Sequence, residues 1–357
     1  MLVVDWIQNR WKTAHRPRAG NEYCTGGRIE DVTEDDLELI HALQIAPRVS
    51  WSDAARILDS HPTTLASRWQ RLRTAGLSWV TANTISTSME STLSFFDLEC
   101  TLAGRDDVIR SLCAMREVVS VLESARNRDL MLIVQTESLA ALGSRVVPQI
   151  AGIPGVTKYE ASICSRVHSE GHVWRLDALN RKQKAAFQAL APSPSIQPYT
   201  LTPADGQLVQ CLIRDGRASA TEIARELGVH PTTVSRRLNR LLESNVLSFR
   251  CELAQQDSAF PVSCQWFARV PPGQHEHAAE VLRSFPNLRL CASTTGTTNF
   301  TFVIWLRSVA EVMEIELALT QQIPDIRFAE STVALAYPKR VGWLLDDAGR
   351  ATGGVVA

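Results

Sequence analysis

Gly228-Val229-His230-Pro231-Thr232-Thr233-Val234-Ser235-Arg236-Arg237-Leu238-Asn239-Arg240-Leu241 is the stretch that decides the fold. Glu222 to Leu227 predicts a short helix before it, and Gly228 suits the left-handed residue that ends a helix. Pro231 fits a first helical position, where its missing N–H costs nothing. Val234, Leu238 and Leu241 then recur at helical spacing and give one apolar face. Thr232, Thr233, Ser235, Arg236, Asn239 and Arg240 fall mainly off that face. Hydroxyls, amides and guanidiniums are the groups that reach phosphates and base edges. The pattern predicts the turn and second helix of a DNA-binding helix-turn-helix.

The arrangement occurs twice. His61-Pro62-Thr63-Thr64 repeats His230-Pro231-Thr232-Thr233 at an offset of 230 − 61 = 169 residues. Thr33, Asp36, Leu39, Leu43, Arg48, Ser50, Ala55, Arg56, Leu58, Arg68, Arg71 and Leu72 all recur at the same offset without a gap. Identity at a fixed offset over some forty residues marks an internal duplication. In the first copy the matching reading residues are Thr63, Thr64, Ser67, Arg68, Gln70, Arg71 and Arg73. Arg68 and Arg237 border the apolar stripe, so each has a competing reading as the partner of an acid in its own domain.

Capping signals bound the helices. Thr33 and Thr202 precede acidic first turns, Ser50-Trp51-Ser52-Asp53 opens a second helix, and Ser219-Ala220-Thr221-Glu222 is a capping box. Leu77 to Thr81 and Leu247 to Leu253 read as wing strands. After each wing the pattern changes. Leu93 to Leu102, Asp106 to Met115, Val118 to Glu123, Leu130 to Val134, Ser138 to Ile150 and Val156 to Ile163 read as βαββαβ. Ser263 to Leu335 reads the same way. The fold class is therefore α+β: two winged helix-turn-helix domains alternating with two βαββαβ ferredoxin-like domains of the dimeric α+β barrel type. The expected boundaries are an arm at 1–31, helix-turn-helix domains at 32–81 and 201–253, and sandwiches at 91–168 and 261–345. A linker at 176–200, with a helix at its start and a Pro-rich end, and a tail at 346–357 complete the chain.

Bulk properties set limits. The 357 residues are 45% hydrophobic and 21% charged, as in a globular protein with ample core. A net charge of −1 excludes a global basic field, so any DNA surface must be a local concentration of arginine. The eight cysteines form no C-x-x-C pair and read as buried packing residues in a reducing cytoplasm. His168 and His172 lack further ligands at metal spacing, so neither a metal nor a cofactor is expected. No apolar run reaches membrane-spanning length. No Ser/His/Asp set, phosphate loop or carboxylate pair has chemical spacing, so no catalytic residue is expected.

The order helix-turn-helix, strand, βαββαβ resembles the Lrp/AsnC family of bacterial transcription regulators, here as two fused copies. Leu201-Thr202-Pro203-Ala204-Asp205, Arg217-Ala218-Ser219, Glu222-Ile223-Ala224 and Val229 to Leu241 carry the likeness. The family often has Ser where His61 and His230 stand. The resemblance implies double-stranded DNA as partner, assembly through the sandwiches and an amino-acid-like effector. The family's glycine-led turn appears as Gly296-Thr297-Thr298-Asn299-Phe300, which points to Thr294, Thr295, Gly296, Thr298 and Asn299 as effector residues. The first-half counterpart, Arg126-Asn127-Arg128-Asp129, lacks the glycine. Siroheme decarboxylases share this architecture and stand as the alternative, an enzyme whose tetrapyrrole pocket would draw on basic residues and on His275 and His277.

Overall fold

The computed structural model describes residues 32–84, 91–125, 128–170, 174–191, 201–244 and 246–357. The N-terminal arm, the Pro-rich stretch 192–200, His172, Arg126 and Asn127 lie outside them.

Each helix-turn-helix has three helices. The first copy has α1 (Glu34–Ile45), α2 (Trp51–Leu58) and α3 (Pro62–Thr74). Thr33 accepts the Asp36 amide, and Asp36 reaches back to the Thr33 N–H at 2.8 Å, closing a capping box. Leu39, Leu43, Ala54, Leu65, Trp69 and Leu72 pack its core. Helix α6 (Arg181–Leu190), within the expected linker, adds Phe187 to that core, so this part of the linker belongs to the first domain. The second copy has α7 (Pro203–Arg214), α8 (Ala220–Leu227) and α9 (Pro231–Glu243), which repeat the first three at the 169-residue offset. Its core holds Leu208, Leu212, Ile223, Val234, Leu238 and Leu241. Gly228 ends α8 at φ 65°, whereas Asp59 takes the same left-handed position in the first copy at φ 50°.

The two wing strands, β1 (Ser78–Thr84) and β6 (Leu247–Leu253), pair with each other. The antiparallel register runs from Ser78↔Leu253 to Thr84↔Leu247, so the ribbon crosses between the two helix-turn-helix domains.

The first sandwich comprises β2 (Thr92–Cys100), α4 (Arg105–Ala114), β3 (Val118–Ser124), β4 (Leu130–Thr136), helix α5 (139–151) and β5 (Val156–Glu170). A π-helical segment, Leu142–Val146, interrupts α5 just before Pro148, which has no N–H to keep the α-helical ladder. The second sandwich comprises β7 (Val262–Arg269), α10 (His275–Arg283), β8 (Leu288–Thr294), β9 (Phe300–Leu306), α11 (Glu311–Gln322) and β10 (Arg327–Arg340).

The sheets merge through their last strands. β5 pairs with its own β2 up to Ile163 and then with β8 from Cys164. β10 pairs with its own β7 up to Ala334 and from there with β3. This reciprocal exchange closes β10-β3-β4-β2-β5-β8-β9-β7 into a ring, with the helices outside. Closure leaves the two halves no free inner edge. The separate apolar cores lie between each sheet half and its helices.

The expected tail departs from expectation. Trp343–Leu345 (β11) and Ala351–Val355 (β12) form a hairpin on the end of β10. The Ala351 N–H donates to Gly76 O at 2.9 Å. Gly76 has φ +67°, and a Cβ there would lie 2.4 Å from Ala351 O, so the hairpin docks because that position is glycine.

Of the cysteines among the described residues, Cys113, Cys211, Cys251, Cys264 and Cys291 are buried and Cys100 and Cys164 partly so. Burial pushes the Cys113 thiol up to about 11 and those of Cys251, Cys264 and Cys291 to about 12, as expected of unreactive packing residues.

Candidate nucleic-acid interface

Helix α9 presents its polar face to solvent. Val234, Leu238 and Leu241 are buried. Thr232, Arg236, Asn239 and Arg240 are exposed, and Thr233, Ser235 and Arg237 are half-buried. Among the described residues, Arg236, Arg237 and Arg240 have no ion-pair partner. The His230 Nδ1 accepts the Thr232 N–H at 3.4 Å and lies 2.8 Å from its hydroxyl, so this histidine caps the helix in place of the family's serine.

Helix α3 has the same length, and its arginines are differently partnered. Thr63, Thr64, Ser67 and Gln70 are exposed. Its arginines are engaged: Arg68 lies 2.9 Å from Asp35 and 3.4 Å from Asp36, and Arg71 lies 2.5 Å from Asp36. Asp36 is fully buried and pairs with both; the Arg68 side chain is 23% exposed, whereas that of Arg71 stays 47% exposed. The residue equivalent to Asp35 in the second copy is Ala204. Arg73, placed by sequence reasoning on a phosphate, lies 2.5 Å from Asp215 of the other helix-turn-helix. Intrachain partners from a different domain leave no signal at the arginine itself.

The two domains are joined by residues that sequence reasoning did not assign. Arg217 donates to Pro47 O at 2.6 Å and to Val49 O at 2.8 Å. Its pseudo-equivalent Arg48 donates to Gly216 O and, at 3.0 Å, to Ala218 O. Arg217 also lies 4.0 Å above the Trp51 ring. Burial, and then the neighbouring Arg48, lower Arg217 to about 10, still charged at neutral pH. Gly216 donates to Val80 O at 2.7 Å, and a Cβ there would lie 2.6 Å from Val80 Cγ1. The signal was present: Arg48 and Arg217 are matched polar positions in the duplication, outside the helical core.

The glycine-led turn is tied down. Thr295 Oγ1 accepts the Ile163 N–H at 2.9 Å. Asn299 accepts the Val270 N–H and donates to Val270 O, both at 2.8 Å. Thr294 Oγ1 donates to Thr298 O at 3.4 Å. Gly296 has φ +113°, and a Cβ there would meet Ser162 Oγ at 3.3 Å. The five residues are together; Thr295 fastens the seam between the halves, while the Asn299 bonds stay within the second sandwich. Of the histidines named for a tetrapyrrole pocket, His275 contacts Ser293 Oγ at 2.6 Å and Val270 O at 3.2 Å, and His277 contacts Gln322 O at 3.1 Å.

A helix-turn-helix pair mounted on a closed α+β barrel is the architecture of this chain. Residues 201–242 match the AsnC-type helix-turn-helix domain. The chain is similar to Lrp/AsnC regulators over part of its length. It is 25% identical over 130 residues to the HTH-type transcriptional regulator LrpC of Bacillus subtilis, covering 35% of this chain and 90% of that one. An uncharacterised HTH-type regulator of Pyrococcus horikoshii is 22% identical over 147 residues, covering 41% and 93%. Among solved structures, the siroheme decarboxylase NirDL matches with a TM-score of 0.55 at 14% identity, covering 86% of this chain and 93% of that one. Its complex with an iron-uroporphyrin III analogue matches with a TM-score of 0.57. At that identity the likeness establishes the shared double fold. Among the described residues no helix is long and apolar enough to cross a membrane.

Proposed function

We propose that the chain is a sequence-specific DNA-binding transcription regulator of the Lrp/AsnC type that reads DNA chiefly through α9. The carrying observation is the contrast between the two recognition helices. Arg236 and Arg240 are exposed on α9 and have no ion-pair partner among the described residues, while the α3 arginines are paired. Exposed guanidiniums neutralise phosphates, and an arginine such as Arg236 can bond bidentately to guanine. Asn239, Thr232, Thr233 and Ser235 surround it. Helix α3 supplies Thr63, Thr64, Ser67 and Gln70, which are permissive, with Arg68, Arg71 and Arg73 each paired with an acid. The reciprocal arginines fix the two helices relative to each other, as a pair of half-sites in successive major grooves requires.

The double fold is shared with an enzyme, and a fold does not choose a chemistry. His275 and His277 hold backbone and hydroxyl groups of their own sandwich, which favours the regulator reading. An amino-acid effector at Thr294, Thr295, Gly296, Thr298 and Asn299 would have to displace the Thr295 and Asn299 bonds. Association of further copies through the sandwiches belongs to the same proposal, with light scattering as its test. Mobility shift against a random duplex pool, beside absorbance spectra after mixing with siroheme, tests the main assignment. A siroheme spectrum with turnover and no DNA retention would replace it with the enzyme.

A further inference from the structure

A buried group of charges lies between the β1–β6 ribbon and the barrel. Glu252 of β6 is 4% exposed. Arg250 of the same strand lies 2.7 Å from it, Arg289 of β8 3.2 Å and Arg340 of β10 3.5 Å. The side chains of Arg289 and Arg340 are each 8% exposed. Arg289 sits over the rings of Trp174 and Trp305, and Arg340 over Trp79 and Trp305. Three guanidiniums thus face one carboxylate, an excess of two positive charges.

The imbalance persists at neutral pH. Burial pushes Arg289 down to about 9, which leaves it protonated. Burial alone would raise Glu252, but Arg250, Arg289 and Arg340 hold it at about 2. The cluster is also short of acceptors. The Arg250 Nε, Arg340 Nε, Trp79 Nε1 and Trp343 Nε1 groups are buried and have no hydrogen-bond partner among the described residues. Buried cations without counter-charge and buried donors without acceptors are both costly. An anion bearing oxygen acceptors relieves both at once.

We propose that the Arg250–Arg289–Arg340 cluster, with Trp79 and Trp343, is a binding site for a small oxyanion, the carboxylate or phosphate group of a metabolite or free phosphate. The anion ties the ribbon, through Arg250, to the barrel, through Arg289 and Arg340. β6 starts at Leu247, just after α9 ends at Glu243. Occupancy therefore stiffens the mount of the second recognition helix, a consequence that rests on the DNA-binding reading, whereas the site does not.

The test is thermal unfolding of the full chain in sodium phosphate and in sodium succinate, each against sodium chloride at matched ionic strength and pH. The wild type should show a saturable rise in midpoint with at least one anion. Phosphate alone identifies a phosphate-type ligand, and succinate alone a carboxylate. Glu252→Gln removes a like charge within ~5 Å of the anion and should tighten the response by at least about tenfold. Arg340→Met should abolish it. No rise beyond chloride in both the wild type and Glu252→Gln overturns the proposal, as does an undiminished rise in a folded Arg340→Met protein. DNA is absent from these measurements, so failure here is distinct from failure of the regulator assignment. If the site binds, adding the anion should change the half-site preference but not the salt slope.

Discussion

Arg217→Met should loosen the two DNA-binding domains from each other without unfolding either sandwich. The guanidinium makes two bonds to carbonyls, at 2.6 and 2.8 Å, and covers the Trp51 ring. A hydrogen bond from a charged donor contributes ~1.5–3 kcal/mol net. The ring contact adds ~0.5–2 kcal/mol. Methionine retains much of the apolar stem contact, and removing a cation relieves repulsion from Arg48. A net loss of ~2–4 kcal/mol is expected, most of it from the two charge-assisted bonds. Urea unfolding with an unchanged denaturant slope measures it. The functional signature is sharper. Wild type should prefer one spacing between two half-sites, because α3 and α9 are held at one separation. Arg217→Met should flatten that preference while binding an isolated half-site as before. Stability unchanged to within ~0.5 kcal/mol, together with an intact spacing optimum, would refute the view that the reciprocal arginines set the geometry.

Further expectations follow from single residues. Asp59→Gly should stabilise the first helix-turn-helix by up to ~1 kcal/mol, since glycine takes the left-handed position freely, as Gly228 does; a calorimetric midpoint checks it. Lys339 is fully buried, donates to Met115 O at 2.8 Å, and burial pushes its amine down to about 8. Lys339→Met should raise stability at pH 7 by ~1–3 kcal/mol, and its advantage should shrink as pH rises from about 8 towards 10.5, where the folded wild type has shed its proton. Glu252, held at about 2 against an ordinary 4.5, contributes stability that is complete above pH 4.5 and is lost as pH falls towards 2. His168 is lowered from 6.5, first by burial and then by Arg166, His275 and Arg283 against the opposing pull of Glu276. Its contribution is present above pH 6.5 and declines below it, so acid unfolding should begin earlier in wild type than in His168→Gln.

The helix-turn-helix half of this architecture was legible because its signals are local. Gly228, Pro231, the Thr and Ser caps and the helical spacing of Val234, Leu238 and Leu241 each act within one turn of chain. The fixed offset then carried the reading from one copy to the other. Partner choice was not legible. Alternation shows that 78–84 and 247–253 are strands, but not that they pair with each other. Likewise β5 and β10 extend beyond their own sheets because each finds an edge in the other half. The charge state of α3 was hidden for the same reason. Arg68 carried its competing reading from the start, yet Arg73 looked free because Asp215 lies in another domain. The hairpin strand β12, Ala351-Thr352-Gly353-Gly354-Val355, has no apolar alternation; it forms because Gly76 leaves room for its backbone.

The central claim is that α9 reads sequence while α3 mainly positions the duplex. Selection of binding sites from a randomised duplex pool, with wild type and Arg236→Ala side by side, tests it most directly. An imperfect palindrome with one strict half is expected. Arg236→Ala should relax one or two base pairs of that half, each by ~1–3 kcal/mol of discrimination. No enrichment by the wild type, or a symmetric site that Arg236→Ala leaves unchanged, would contradict it.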